Sequence, residues 1–177
     1  MVVMAEVTNI KKFQGLDELY DYKNQCMNDI LESEEILSLL DATETGLTPK
    51  QAMYNMVYPY EYVPETTETA KTFICCEVDI QEVYSKTYLN ARIDIYVFTH
   101  NSNLRATTGG LRVDRIVSEI VKILNGSRMY GLGQLKLFKV SSFSPIESYQ
   151  GKHIVFNATD FNLLSPTGKE IPENRKA

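Results

Sequence analysis

Apolar and polar positions follow two different periods along the chain, and the change falls near residue 70. Between 16 and 40, Leu16, Leu19, Tyr20, Met27, Ile30 and Leu31 recur near helical spacing, the repeat that gathers side chains on one face of an α-helix. Asp17 and Glu18 stand where the positive end of the helix dipole favours acids. The acidic run ESEE is where this stretch can divide into two helices, ahead of the apolar segment 36–40. Gly46 then ends one element, and Thr48 followed by Pro49 forms an N-cap and first-turn pair that predicts a short helix over about 49–56. The segment YPYEYVPETTETA, 58–70, holds two prolines, three tyrosines and several acids. Each proline removes a donor and pushes its predecessor to extended geometry, so an irregular loop is expected rather than a strand.

From residue 70 the period becomes two. Ile74, Cys76, Val78 and Ile80 share one face; Leu89, Ala91, Ile93, Ile95 and Val97 share another, opposed by Tyr88, Asn90, Arg92, Asp94 and Tyr96. A polar turn at about 84–87 makes these two half-buried strands a hairpin. After the loop THNSNLRATTGG, the residues Val113, Ile116, Val117, Ile120, Val121 and Leu124 form an amphipathic stripe, with Arg112, Asp114, Arg115, Glu119 and Lys122 on the other side. Asn125 and Gly126 supply a stop. GQLKLFKV and KHIVFNATDF read as two further strands, with Leu135 and Leu137 on one face of the first, and Ile154, Phe156 and Ala158 on one face of the second. The long loop 141–151 separates them, and the end of the chain is polar and proline-bearing. The order is that of an α+β fold: an antiparallel sheet of about four strands, helices packed on one face, and an N-terminal helical region. A single domain over 1–168 is expected, helical in 16–56 and sheet-and-helix in 70–162, followed by a frayed tail at 169–177. The sheet face left by the helices carries charges and tyrosines and is either solvated or met by another subunit.

Composition narrows the function classes. With 177 residues, 44% hydrophobic and 23% charged, the chain can bury a core without staples. No run approaches the ~18 apolar residues of a membrane span. The start lacks a basic segment followed by an apolar one, which points to a protein made and kept in a cytoplasm, with no membrane partner. Three cysteines, Cys26, Cys75 and Cys76, have no framework spacing. Adjacent strand residues point to opposite faces, so Cys75 and Cys76 cannot share a metal and read as buried small residues. The net charge of -5, with scattered Lys and Arg, offers no basic patch for nucleic acid.

Reaction motifs are mostly missing. TTGGLRVD lacks the Lys-Ser/Thr pair of a phosphate loop, and the glycines of GSRMYGLGQL follow the helix instead of opening it. Gly109 and Gly110 read as a turn into a packing helix. His100 and His153 are isolated, without metal-ligand spacing. Glu77, Asp79 and Asp94 lie on neighbouring strands and could converge as in a metal-dependent nuclease. No D…ExK spacing follows, however, and Arg92 beside Asp94 suits cross-strand ion pairing. No G-x-S-x-G occurs. No catalytic residue, cofactor or metal ligand is therefore assigned. Tyr58, Tyr60 and Tyr62 alternate with polar residues or proline; they either pack back on their own core or anchor a protein contact, where tyrosine combines large area with a polar tip.

Taken in order, YPYEYVPET…AKTFICCEVDI, ARIDIYVFTHN, GLRVDRIVSEIVKILNG, GLGQLKLFKV and IVFNATDFN resemble the neck and tail-completion proteins of long-tailed bacteriophages, the tail terminators above all. The resemblance covers about 58–162 and implies a structural virion protein of the tail neck. It implies a homo-oligomer, a hexameric ring that ends the tail tube and joins it to the head connector. The partners implied are the tail tube protein and neck proteins, with DNA only passing through the lumen. An acidic chain suits a lumen that holds phosphates weakly. Tyr58, Tyr60, Tyr62, Arg105, Arg112, Arg115 and Glu119 are the candidate interface residues. A head-closure or connector adaptor is the alternative within the same machine, and a small metal-dependent nuclease the alternative outside it.

Overall fold

A computed structural model describes residues 17–41, 46–64, 70–85, 87–107 and 109–161. Leu16, the segment 65–69 within the predicted loop, and the expected tail at 169–177 lie outside the described residues. In chain order the elements are α1 (Asp17–Leu31), α2 (Glu34–Leu39), α3 (Pro49–Ala52), β1 (Val57–Tyr58), β2 (Thr72–Val83), β3 (Tyr88–His100), α4 (Arg112–Leu124), β4 (Leu132–Phe143) and β5 (Tyr149–Phe161). The break between α1 and α2 falls in the acidic run. Ser33 turns extended and its hydroxyl accepts from the Ile36 amide at 3.3 Å, with Glu34 and Glu35 in the first turn behind it. Along α1 the buried stripe runs through Cys26, Met27, Ile30 and Leu31, whereas Tyr20 is 68% exposed. Tyr22 takes the inward place instead, and its hydroxyl donates to Asp160 on β5. Helix α3 is shorter than the predicted 49–56. Thr48 and Gln51 form a reciprocal cap, but Met53 is already extended and Tyr54 takes φ of 61°, which swings the chain into β1.

The sheet has the order β1-β2-β3-β5-β4. Its four long strands are antiparallel, in agreement with the predicted α+β class. The hairpin turn lies between Val83 and Tyr88, as the polar break predicts. Two features differ from the sequence reading. The first residue of the predicted loop 58–70 joins the sheet: Val57 and Tyr58 pair in parallel with Ile74 and Cys75, and the Ile74 amide donates to the Met56 carbonyl at 2.8 Å. The loop 141–151 is also shorter than expected, because Ser141 to Phe143 pair with His153 to Gly151 and extend both strands. Pro145, which has no amide proton, falls in the connection that remains.

The helices cover one face of the sheet. Val113, Ile116, Ile120 and Leu124 of α4 pack with Ile93, Ile95, Ile154 and Phe156. Burying each of these side chains contributes about 1.5–3 kcal/mol. The other face is covered in part by the chain itself: Tyr58, Phe73, Cys75, Phe98 and Tyr149 form a second, smaller core. Cys76 belongs to the large core and Cys75 to the small one, on opposite faces as their adjacency requires. Burial pushes the Cys75 thiol up to about 12. The Cys26 thiol is raised by its hydrogen bond with Cys76 and then by burial. Among the described residues no helix is long and apolar enough to cross a membrane.

Candidate docking surfaces

The tyrosine segment is fastened to the back of the sheet. Tyr58 is 9% exposed and lies against Phe73. Tyr62 stacks on Tyr58 at 4.3 Å and 7°, and its amide donates to Cys75 Sγ at 3.4 Å. Lys23 of α1 reaches round the β2 edge, donating to the Pro59 carbonyl at 2.9 Å and pairing with Glu77 at 2.6 Å. Glu77 Oε1 also accepts from the Glu61 amide at 3.2 Å. Tyr58 and Tyr62 therefore pack on their own core, and Tyr60, 47% exposed, is the ring turned outward. It stands on a stiff base, which lowers the entropy lost when a partner covers it.

The glycine turn before α4 uses its own backbone. The Gly110 carbonyl accepts from the Ala106 amide at 3.1 Å, and the Gly109 amide donates to the Ala106 carbonyl at 3.0 Å. Arg105 and Leu111 close this loop as a β-bridge, and the first helical amide, of Arg112, donates to the Leu104 carbonyl at 2.9 Å. The amides of Ala106, Gly109 and Arg112 are thus taken up by the loop's own carbonyls. Gly109 and Gly110 adopt φ of +93° and +79°, conformations that glycine takes without strain.

The four remaining candidates separate in environment. The Arg112 side chain is 4% exposed; its guanidinium donates to the Leu39 carbonyl at 2.5 Å and pairs with Asp41 at 2.7 Å. It ties the start of α4 to the C-terminus of α2, where a cation also meets the negative end of the dipole. The helical wheel places Arg112 on the polar side, but its position in the first turn lets the long side chain cross to a neighbouring helix. Arg115 is half-exposed, pairs with Glu35 at 3.3 Å and donates to the Gly109 carbonyl at 3.5 Å. Glu119 pairs with Lys122 at 2.8 Å. Arg105 is exposed. Beside it, Leu104, Leu111 and Val113 line a shallow groove that reaches Ser142 of β4 and Lys152 of β5.

On the back of the sheet the register gathers the carboxylates. Glu77 lies opposite Asp94, and Asp79 opposite Arg92. Asp94, 3% exposed, accepts from Arg92 at 2.6 Å and from His153 Nε2 at 2.5 Å. The Tyr96 ring stacks on His153 at 4.3 Å and 9°. The bond to Asp94 raises Arg92 further above its ordinary value, and burial, then Asp94, raises the Tyr96 hydroxyl. Glu77 and Asp94 are thus held by cations and donors of the fold, while Asp79 is exposed. Among the described residues no group of three or more His, Cys, Asp or Glu is placed to hold a metal ion. The sequence reading did not connect His153 with Asp94, because they are paired only by strand register.

One surface was missed. On β4, Phe138 is 64% exposed, Val140 43% and Leu137 37%. The register with β5 slips between Leu137 and Lys139, so Phe138 sits on a bulge. The signal was present in LKLFKV, where adjacent Leu137 and Phe138 break the alternation.

The outward features of this α+β scaffold are Tyr60 on the back of the sheet, Leu111 before α4, and Phe138 and Val140 along β4. The chain belongs to the YomW family, whose pattern matches residues 33–158. This assigns it to the tail-terminator and neck group that its sequence resembles, with a general role as a structural protein of the phage particle. No curated protein matches the chain.

Proposed function

We propose that this protein closes a phage tail tube as a six-membered ring and joins it to the head connector. The observation that carries the reading is the distribution of exposed apolar side chains. Phe138 and Val140 stand on one sheet edge, Leu111 at the α4 loop and Tyr60 on the back face, at separate places on one subunit. A closed ring needs two different complementary surfaces per subunit, and further surface for the rings above and below. Tyr60, Arg105, Arg115 and Glu119 are the residues proposed to touch other chains, with Tyr58, Tyr62 and Arg112 holding them in place. DNA passes through the lumen without being gripped, a reading supported by the net charge of -5.

The test is the position and copy number of the protein in an intact particle. Six copies at the head-proximal end of the tube support a terminator. Twelve at the portal replace it by a connector adaptor. Protein found free in infected lysate and absent from purified particles overturns the structural reading. DNA cleavage with magnesium or manganese, lost in Asp94→Ala, would establish the nuclease alternative instead.

A further inference from the structure

Among the described residues, the two sides of the sheet leave open edge segments of equal length. On β4 the inner half is closed by the turn after α4: Leu135 donates to the Ser127 carbonyl and accepts from the Gly126 amide, each at 2.8 Å, and the Leu137 amide donates to Asn125 Oδ1 at 2.9 Å. Beyond that point, 138–143 has no backbone hydrogen bond outside the sheet among the described residues. On the opposite side, β1 pairs with β2 only at Ile74 and Cys75, and Lys23 and Glu61 gather on Glu77. The segment 78–83 has no such bond either among the described residues. Each open segment carries an exposed apolar residue, Phe138 on β4 and Val83, 49% exposed, on β2.

Direction and charge both select one pairing. Strands β2, β3, β5 and β4 alternate in direction, so β4 and β2 run oppositely. A second copy in the same orientation therefore presents its β2 antiparallel to β4; because Lys139 lies in the row of Asp94 and Glu77, that copy is displaced along the strand direction, from this row to the row of Asn90 and Glu82, for 138–143 to meet 78–83. Lys136 and Lys139 are exposed on β4, and Asp79 and Glu82 on β2. None of the four has an ion-pair partner among the described residues. The register puts Lys139 opposite Val155 and so in the row of Asp94, and puts Glu82 opposite Asn90; all face the back of the sheet. Two β4 edges would set lysine against lysine, and two β2 edges acid against acid. Only β4 against β2 matches opposite signs. Edge lysines that block self-pairing thus also define the acceptor.

We propose that 138–143 of β4 pairs antiparallel with 78–83 of β2 in a second copy of this chain. This rests on the ring reading above and names its subunit contact, a heterologous one that repeats from copy to copy. A strand pair this short falls below the ~1,200 Å² of total buried surface at which stable interfaces begin. Free protein therefore associates weakly, and a tube end that aligns the copies strengthens the contact.

Cross-linking tests it. Lys139→Cys and Glu82→Cys are made in separate full-length chains; the native cysteines are buried at 0% exposure and do not compete. Mixed under mild oxidation, the two variants are expected to give about tenfold more dimer than Lys122→Cys mixed with Glu82→Cys, the ratio that a 1.4 kcal/mol preference sets. One chain carrying both cysteines is expected to give a ladder. Yields equal to the Lys122 control, or dimers mainly from Lys139→Cys alone, overturn the pairing. A ring at the tube end whose β4 and β2 edges do not meet overturns the pairing but leaves the ring reading intact. Absence of the protein from particles removes both.

Discussion

Replacing Arg112 by methionine separates a strut from a docking residue. The substitution keeps most of the apolar stem and removes the guanidinium. It leaves the Leu39 carbonyl without its donor at 2.5 Å and removes the guanidinium 2.7 Å from Asp41, which keeps the Asn103 side-chain amide at 3.3 Å. Loss of a hydrogen bond to a charged group costs about 1.5–3 kcal/mol. Breaking a fully buried ion pair costs about 3–5 kcal/mol. The Asp41 side chain is 30% exposed and water takes over part of its solvation, so the lower figures apply to that half. The expected loss is about 3 kcal/mol, a fall in melting midpoint of about 6–12 °C for a chain of this size. Arg115→Met is the control: its partner Glu35 is 47% exposed and 3.3 Å away, and the change is expected within about 0.5 kcal/mol. Urea and thermal unfolding measure both, and a cycle with Asp41→Asn isolates the pair. If Arg112→Met melts with the wild-type midpoint, or if Arg115→Met falls as far, the assignment of Arg112 as a tie between α2 and α4 is wrong. Assembly adds a second readout. Arg112→Met is expected to lose it only as the folded fraction falls, and Arg115→Met to lose it while folded.

The same alanine substitution is expected to act differently at two glycines. At Gly151 an added Cβ would lie 2.2 Å from the Val97 carbonyl oxygen and 2.6 Å from Phe98 Cβ, so β3 and β5 must move apart; a loss of at least about 2 kcal/mol follows in urea unfolding. At Gly110 the space is open and only the φ of +79° resists, so Gly110→Ala is expected to cost about 1 kcal/mol, and equal losses at the two sites would contradict this geometry. The Cys75 thiol moves from 9.0 to about 12 on folding, so its contribution is whole below pH 9 and is lost as pH rises toward 12, because the unfolded thiol ionises first. At 1.36 kcal/mol per unit this amounts to about 4 kcal/mol. Cys75→Ala is expected to flatten the alkaline fall in stability, and an unchanged slope would count against it. Ile120→Asp places an unpaired carboxylate in a site with 0% exposure and is expected to abolish cooperative unfolding near room temperature, read by circular dichroism; a native melt refutes the placement of α4.

Period and punctuation made the α+β order legible, and their failures follow one physical rule. The hairpin lies where a polar turn interrupts alternation, and the α4 stripe buries Val113, Ile116, Ile120 and Leu124 because its repeat is helical along its whole length. Arg112 could not be read this way, since Leu39 lies far away in sequence and is brought near only by the packing of α2 on α4. Nor could Asp94 with His153, which meet through the pairing of β3 with β5. The second core had left a trace: TFICC in β2 and VF in β3 are apolar at consecutive positions, the mark of a strand buried on both faces. In the structure each break in alternation there has an internal cover, Phe73 and Phe98 lying under Tyr62 and Tyr149. The break at Leu137 and Phe138 is of the same kind, yet Phe138 remains 64% exposed. Burial on two faces inside one chain explains the first two runs and leaves the third without cover among the described residues. The second copy proposed at the β4 edge is the cover that corresponds to what the other runs receive from within.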